Sequence, residues 1–152
     1  KVPDNVSLED AACTGIAFGT TQHMLFDNAK LESGETLLVH AGGSGIGTVA
    51  IKMAKDIGCT VIATVGDDEK GAKAKALGAD HVINYRDTPE WADAVRAATA
   101  GKGVDIVVET TGSSIPQSLN ACAFGGFIGV MLACWWFGKR NDFARVYFHS
   151  RT

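Results

Sequence analysis

The chain has 152 residues, of which 46% are hydrophobic, so it can bury one sizeable core and is expected to form one domain. Its formal net charge of -3 leaves no overall basic field for a phosphate backbone, which argues against a nucleic-acid partner. The four cysteines are scattered without a Cys-x-x-Cys pair, which favours reduced thiols and a cytoplasmic location over a disulfide framework or a zinc ribbon.

The first third of the chain predicts a helix, a strand and a second helix. Ser7 is typical of a helix N-cap, with Asp10 three residues later, before a small-residue and apolar series that ends at Leu25. Apolar and β-branched residues predict a strand over residues 36–40. Apolar residues spaced three and four apart then predict a helix over residues 45–57.

The alternation of strands and helices continues to the end of the sequence. Further strands are predicted at Thr60–Val65, His81–Asn84, Val104–Glu109 and residues 127–131. Helices are predicted over residues 67–78 and 87–99, the second with Pro89 in its first turn. Strands that alternate with helices through short loops form parallel sheets with right-handed crossovers. The sequence therefore predicts an α/β fold with a doubly wound parallel sheet in three layers, α/β/α.

One uncharged segment, residues 110–138, is apolar enough in its second half to suggest a membrane span. Polar residues occupy its first third, and Gly125 and Gly126 would break a helix at its centre. We interpret the segment as a short helix, a Gly-Gly turn and the strand over residues 127–131, buried on both faces of a parallel sheet. No membrane partner is expected.

A cluster of four glycines lies between the first strand and the helix that follows it, in the sequence LLVHAGGSGIGTVAIKMAK. At this position backbone N–H groups and the positive end of the helix dipole converge on an anion. We expect Gly42 to permit the tight turn, Gly45 to let a diphosphate approach the main chain, and Gly47 to let helix and strand pack closely. Ser44 replaces the middle glycine of the Gly-x-Gly-x-x-Gly pattern. The residues expected to hold the diphosphate of a dinucleotide are Gly42, Gly43, Ser44, Gly45, Ile46 and Gly47.

The stretch from His40 to Arg86 resembles the cofactor domain of the medium-chain dehydrogenase/reductase superfamily, in particular its quinone oxidoreductase and zinc-type alcohol dehydrogenase branches. The likeness extends to AACTGIAFGTTQHML, GVDIVVE with Gly112, FGGFIG and RVYF. It implies that residues 1–152 are a nucleotide-binding (Rossmann) domain of a longer enzyme. On this resemblance we expect the family's GroES-like catalytic domain to be absent from this chain and the sheet to be incomplete at the C-terminal end.

Two ways of locating the ribose-binding residue lead to different cofactors. Counting about 20 residues from the glycines reaches Asp67, whose carboxylate would favour NAD(H). Alignment with the family instead puts Gly66 where NAD-dependent relatives carry the acid, and the resemblance to NADPH-using quinone reductases places Lys70 and Tyr85 at the 2′-phosphate. Asp67 and its acidic neighbours can also simply stabilise a helix N-terminus. NADP(H) is the expected cofactor, with NAD(H) as the alternative.

The resemblance implies a hydride transfer between nicotinamide and a small-molecule carbonyl, quinone or enone, with Thr110, Thr111 and Gly112 near the nicotinamide ribose. It also places Cys13 where zinc alcohol dehydrogenases draw a catalytic ligand, although a lone cysteine in such a helix is more often a small buried hydrophobe. The alternatives are therefore a zinc-dependent alcohol dehydrogenase or a dinucleotide-binding module without catalysis. No catalytic acid, base or nucleophile can be named, His23 and His40 are interpreted as structural, and Trp135, Trp136 and Phe137 either line the substrate pocket or form a docking surface. We expect a homo-oligomer.

Overall fold

A six-stranded sheet forms the centre of the molecule in a computed structural model that describes residues 2–130 and 147–148. The strands follow the order β3-β2-β1-β4-β5-β6. They are β1 (Thr36–Val39), β2 (Thr60–Val65), β3 (His81–Asn84), β4 (Val104–Glu109), β5 (Cys122–Val130) and β6 (Tyr147–Phe148). The first five pair in parallel, and β6 pairs antiparallel with β5. The predicted doubly wound parallel sheet is confirmed.

Helices cover both faces of this sheet. They are α1 (Leu8–Gln22), α2 (Gly45–Asp56), α3 (Asp68–Ala76), α4 (Trp91–Ala98) and α5 (Ile115–Ala121). Side chains alternate along each strand, so Leu37 and Val39 pack with α2 and α3, whereas Leu38 between them packs with α4 and α5. Burial on both faces explains why the strands read as continuous apolar runs, and it gives the three layers expected from the sequence.

The first helix begins as predicted and ends differently. The Ser7 side chain accepts a hydrogen bond from the Asp10 N–H, as an N-cap does. The α-helix stops at Gln22, and His23–Asn28 continues as a π-helical turn, where the sequence had predicted helix up to Leu25. The Asn28 side-chain amide donates to the His23 carbonyl at 2.6 Å, and Leu25 is fully buried. The wider turn thus brings an apolar side chain into the core.

Two further boundaries correct the prediction. The helix expected from residue 87 begins at Trp91, because Asn84 holds the preceding residues in a turn: its carbonyl accepts from the Asp87 and Thr88 N–H groups. Pro89 therefore precedes the helix. Gly125 and Gly126 lie inside β5 rather than in a turn before it. Regular pairing with β4 nevertheless resumes only at Phe127, and the register shift before it contains the two glycines.

The uncharged segment has no membrane-spanning form where the structure describes it. Residues 110–130 form a loop, α5 and β5, and no helix within the described ranges has the length and apolarity needed to cross a bilayer. Residues 131–138, including Trp135, Trp136 and Phe137, lie outside the described residues. Met131, the last residue of the predicted strand, is among them, and Arg145 and Val146 also lie outside the described residues.

Candidate functional site

The carboxyl ends of β1, β2 and β4 meet at one edge of the sheet, because these strands are parallel neighbours. The glycine turn (residues 41–47) follows β1, Gly66 follows β2, and a loop of residues 110–114, here called the β4 loop, follows β4. In open α/β sheets ligands bind at this edge, where the strand order reverses. Eleven of the twelve cofactor-binding residues predicted from the sequence follow these three strands, and the twelfth, Tyr85, follows the parallel strand β3 next to β2.

The glycine turn departs in one detail from the prediction. The residue with left-handed backbone is Ala41, at φ 50°, and Gly42 is not among the residues with positive φ. A Cβ at Gly42 would instead crowd the neighbouring strand, because it would lie 3.0 Å from the Ala63 Cβ. Its N–H donates to the Thr64 carbonyl at 2.9 Å. Gly42 therefore anchors the turn to β2 rather than supplying its conformational freedom.

The first turn of α2 packs closely against the glycine turn and leaves space above Gly45. A Cβ at Gly47 would clash with the Ala41 carbonyl oxygen, so only glycine lets the helix sit on the turn. The Ser44 hydroxyl caps the helix by accepting from the Gly47 N–H at 3.0 Å, which gives the serine in the middle position a role of its own. Gly45 is exposed, and a Cβ there would meet nothing within 4 Å. The first N–H groups of a helix have no intrahelical acceptor, so those of Gly45 and Ile46 are left for an acceptor outside the helix.

The residues expected at the adenosine end come together beside this turn. The stem of Lys70 lies across the glycines, since a Cβ at Gly43 would lie 3.0 Å from the Lys70 Cγ. A Cβ at Gly66 would lie 2.5 Å from the Tyr85 hydroxyl oxygen. The Tyr85 hydroxyl group thus occupies the space that a side chain at position 66 would need.

Asp67, the alternative ribose-binding residue, is the N-cap of α3. Its carboxylate accepts from the Lys70 N–H at 2.8 Å and from the Lys70 Nζ at 2.6 Å. Hydrogen bonding to Lys70 lowers the pKa of Asp67 below its ordinary value. Asp67 thus has the role at a helix N-terminus that the sequence left open as an alternative for this group of acids.

The β4 loop is organised by Glu109, which sequence reasoning did not single out. Its side chain is fully buried. One carboxylate oxygen accepts from the Thr111 N–H and hydroxyl, both at 2.8 Å, and from the Gly112 N–H at 3.1 Å. The other accepts from the Ser114 hydroxyl at 2.6 Å and the Ser118 hydroxyl at 2.9 Å. Gly112 has φ 77°, a left-handed conformation that glycine adopts without strain.

These contacts decide the charge on Glu109. Burial alone would raise its pKa, but hydrogen bonds from Ser114 and Thr111, with His40 nearby, outweigh burial and lower the pKa to about 2. The sequence signal that could have revealed the group is an acid that ends an apolar strand, VDIVVE, and is followed by the hydroxyl-rich run TTGSS.

His40 is buried behind the same carboxylate. Its Nε2 lies 2.9 Å from the Ser118 hydroxyl and 3.6 Å from the Glu109 carboxylate, and its Nδ1 lies 2.9 Å from the Thr64 hydroxyl. The imidazole also packs edge-on against Trp91 at 4.7 Å between ring centroids. Burial lowers the pKa of His40, although Glu109 acts in the opposite direction. His40 is therefore a neutral residue within the fold, in keeping with its structural interpretation.

A cavity of about 590 Å³ opens between the strand ends and the start of α4 and α5. Its wall includes Tyr85, Pro89, Trp91, Thr111 and Ser113, and no Asp, Glu, Lys or Arg is among the described residues that line it. A pocket of this size, in which aromatic rings and prolines stand beside neutral polar side chains, suits an uncharged planar group.

Cys13 lies on α1 and is exposed, which contradicts its interpretation as a small buried hydrophobe. Within the described parts of the chain no group of three or more His, Cys, Asp or Glu side chains could hold a metal ion. Zinc needs at least three protein ligands. Any zinc bound through Cys13 would therefore need at least one ligand from outside the described residues.

Comparisons with known proteins agree with this geometry. Residues 45–147 match the family model of the zinc-binding dehydrogenases. A 2-haloacrylate reductase from a Burkholderia species is 37% identical over 124 residues, which cover 80% of this chain and 37% of the reductase.

Solved structures give the same result. The crystal structure of an NAD-dependent alcohol dehydrogenase is 42% identical, with a TM-score of 0.79, over 84% of this chain and 37% of that one. A mycobacterial protein complexed with NADPH is 34% identical, with a TM-score of 0.83, over 93% of this chain and 44% of that one. The chain thus spans less than half the length of each of these proteins. It belongs to the zinc-binding dehydrogenases of the medium-chain dehydrogenase/reductase superfamily and corresponds to their cofactor-binding domain.

Proposed function

We propose that this chain is the cofactor-binding domain of an NADP(H)-dependent oxidoreductase of the quinone or enone reductase type. The support for a dinucleotide comes from the turn between β1 and α2. Its helix end offers backbone N–H groups to an anion, and the space above Gly45 is free of side chains. A diphosphate fits such a site because the helix dipole and the N–H groups both favour negative charge.

The observation that carries the choice of NADP(H) is the arrangement at the end of β2. Tyr85 fills the space beside Gly66 that an NAD-binding acid would need, and Lys70 lies across Gly43 with its side chain about half-exposed. A 2′-phosphate carries nearly two negative charges and would bind an ammonium group strongly. Asp67 already pairs with Lys70, so the phosphate would share this cation with a carboxylate. That competition should make the preference for NADP(H) moderate and dependent on salt.

When bound, the nicotinamide would supply the hydride chemistry. This chain's own part would be to bind and orient the dinucleotide. The glycine turn would bind the diphosphate, and Lys70 and Tyr85 would bind the adenosine phosphate. The cavity beside Tyr85 would hold an uncharged ring of the cofactor. The substrate class rests on the relatives, since a 2-haloacrylate reductase acts, by its name, on a conjugated double bond. We propose a small-molecule carbonyl, quinone or enone, bound together with residues outside this chain's 152.

Two alternatives have specific support. NAD(H) is favoured by the 42% identical NAD-dependent alcohol dehydrogenase and by the position of Asp67. A zinc enzyme is favoured by the family and by Cys13, and metal analysis of the intact protein tests it. A module that binds dinucleotide without catalysis would bind cofactor but give no turnover with any quinone or enone.

The test of cofactor choice compares two lysines of α3. Both are exposed and both pair with an acid near the start of the helix, Lys70 with Asp67 and Lys73 with Glu69. We expect Lys70→Ala in the intact protein to weaken NADPH about ten- to a hundredfold, as for a lost charge-assisted hydrogen bond, and to leave NADH nearly unchanged. Lys73→Ala is the matched control and should change neither. Calorimetric titration at fixed ionic strength measures all four affinities, and equal losses of NADPH and NADH affinity in Lys70→Ala would refute the assignment.

A further inference from the structure

Glu109 carries more hydrogen bonds than a residue that only fills the core requires. Five donors meet its carboxylate, and four of them come from the β4 loop: the Thr111 N–H and hydroxyl, the Gly112 N–H and the Ser114 hydroxyl. The fifth is the Ser118 hydroxyl on α5. In the described part of the molecule no lysine or arginine pairs with it, and the group that lies 3.6 Å away is the neutral imidazole of His40. The loop is therefore held by directed hydrogen bonds to one buried carboxylate.

Stability alone is a poor reason for such a group. A buried charge has lost its hydration, and well-packed apolar residues often stabilise a core as well or better. A carboxylate instead fixes the geometry of its neighbours, because each of its two oxygens accepts hydrogen bonds only from donors in particular positions. Here they fix the loop whose Thr111, Ser113 and Ser114 line the cavity.

The same group ties the loop to the strands beneath the glycine turn. The single Ser118 hydroxyl proton goes to Glu109, so its oxygen accepts from the His40 Nε2–H, and the neutral His40 Nδ1 accepts from the Thr64 hydroxyl. This chain of hydrogen bonds runs from Thr64 in β2 through His40 and Ser118 to Glu109 at the end of β4. It thereby links the β4 loop to His40, the residue that directly precedes the glycine turn.

We propose that Glu109 is a positioning residue for the dinucleotide, which holds the β4 loop in the binding arrangement before the cofactor enters. The ligand named here rests on the proposed function, whereas the ordering of the loop does not. A preordered loop saves the conformational entropy that binding would otherwise cost. Loss of this order should therefore weaken NADPH affinity more than it lowers the turnover number of the complex with bound NADPH.

The test uses Glu109→Gln in the intact protein. Glutamine has the same shape, but its amide nitrogen cannot accept from the loop donors. Without cofactor, hydrogen exchange at the Thr111 and Gly112 amides should accelerate about tenfold, the factor expected for one lost hydrogen bond. The dissociation constant for NADPH should rise by a similar factor of about ten. The turnover number at saturating NADPH should change much less than the KM for NADPH.

Arg96→Ala is the matched control for a loss of stability alone. The Arg96 guanidinium donates to the carbonyls of Asn120, Gly101 and Cys122, at the opposite, amino-terminal edge of β4 and β5. It should lower stability without changing NADPH affinity or exchange in the β4 loop. Ser118→Ala, which removes one donor, should give smaller changes of the same kind as Glu109→Gln, and it serves if the glutamine variant fails to fold.

The outcomes separate the two proposals. Wild-type exchange and affinity in Glu109→Gln, or an equal loss of affinity in Arg96→Ala, would overturn the positioning role. If the wild-type protein bound no dinucleotide, the proposed function would fall together with the ligand named here. The exchange rates of Thr111 and Gly112 would still decide whether Glu109 orders the loop.

Discussion

The buried carboxylate of Glu109 should make the domain sensitive to acid in a defined pH range. Its pKa is about 2 in the folded protein, against an ordinary value of 4.5. A carboxyl group with a lowered folded pKa contributes stability that is fully present above its unfolded pKa and is lost as the pH falls through the folded one. The contribution of Glu109 is therefore complete above about pH 4.5 and is lost between that pH and 2.

The size of this effect follows from the shift. Each pKa unit corresponds to about 1.4 kcal/mol, so the ionisation of Glu109 contributes about 3 kcal/mol at neutral pH. By pH 3 roughly 2 kcal/mol of it should be lost. His40 acts at higher pH: because its folded pKa is lowered, the unfolded state takes up its proton first, and stability begins to fall below about pH 6.5. The two groups thus destabilise the domain in succession on acidification.

Comparing wild type with Glu109→Gln isolates the carboxylate, because the other acids are common to both. Denaturant-dependent hydrogen exchange of the β4 amides measures the free energy of opening of this domain, whatever else the intact protein contains. The difference in opening free energy should stay constant from pH 7 to about 5 and then shrink by roughly 2 kcal/mol by pH 3. A difference that does not change with pH would show that Glu109 titrates alike in both states, and the reasoning would fail.

Three substitutions test the glycine turn and its neighbour. Gly45→Val should abolish dinucleotide binding, measured by titration, with an unchanged far-UV circular dichroism spectrum, because its side chain would fill the space above the turn. Retained affinity would mean that the turn does not hold the diphosphate. Gly47→Ala should lower stability by about 1–3 kcal/mol in thermal unfolding, since its Cβ meets the Ala41 carbonyl; an unchanged Tm would contradict this. Asp67→Ala should cost stability through the lost cap and leave NADH affinity unchanged, and a selective loss of NADH would revive Asp67 as the ribose-binding residue.

The elements predicted from the sequence succeeded where local pattern decides the structure. The strands β2, β3 and β4 have the predicted bounds, and Ser7 caps α1 as expected. The placement of the glycines between a strand and a helix was enough to predict the turn. These features depend on neighbours within about one helical turn or one strand, so a single sequence contains them.

The missed features depend on contacts that the sequence does not reveal. The left-handed residue of the turn is Ala41 rather than Gly42, and the small size of Gly42 instead serves the close approach of Ala63 in the neighbouring strand. The network around Glu109 joins His40 to Ser118, 78 residues later. The acid that ends this apolar strand is buried because the hydroxyl groups of Thr111 and Ser114 in the β4 loop and of Ser118 in α5 surround it. Long-range polar networks of this kind have no periodic signal.

Substitution of Gly66 can separate two effects on cofactor choice, the charge of a side chain at this position and the space that Tyr85 leaves for it. Gly66→Asp would place a carboxylate where NAD-dependent relatives carry one, and repulsion should weaken NADPH binding. NADH should gain little, because the new side chain would collide with the Tyr85 hydroxyl, 2.5 Å from the added Cβ. Tyr85 is 44% exposed, so it can be displaced without unfolding the domain.

Removing the Tyr85 ring should allow the Gly66→Asp change to raise NADH affinity. In the double variant Gly66→Asp, Tyr85→Ala, the carboxylate can reach the ribose hydroxyl, and NADH affinity should exceed that of either single variant. The double-mutant cycle for NADH should be non-additive by about 1 kcal/mol, as for residues in contact. Titration of NADH and NADPH into the four proteins measures it. Additive effects would mean that Tyr85 does not occupy the position of the acid, and the structural argument for NADP(H) would then rest on Lys70 alone.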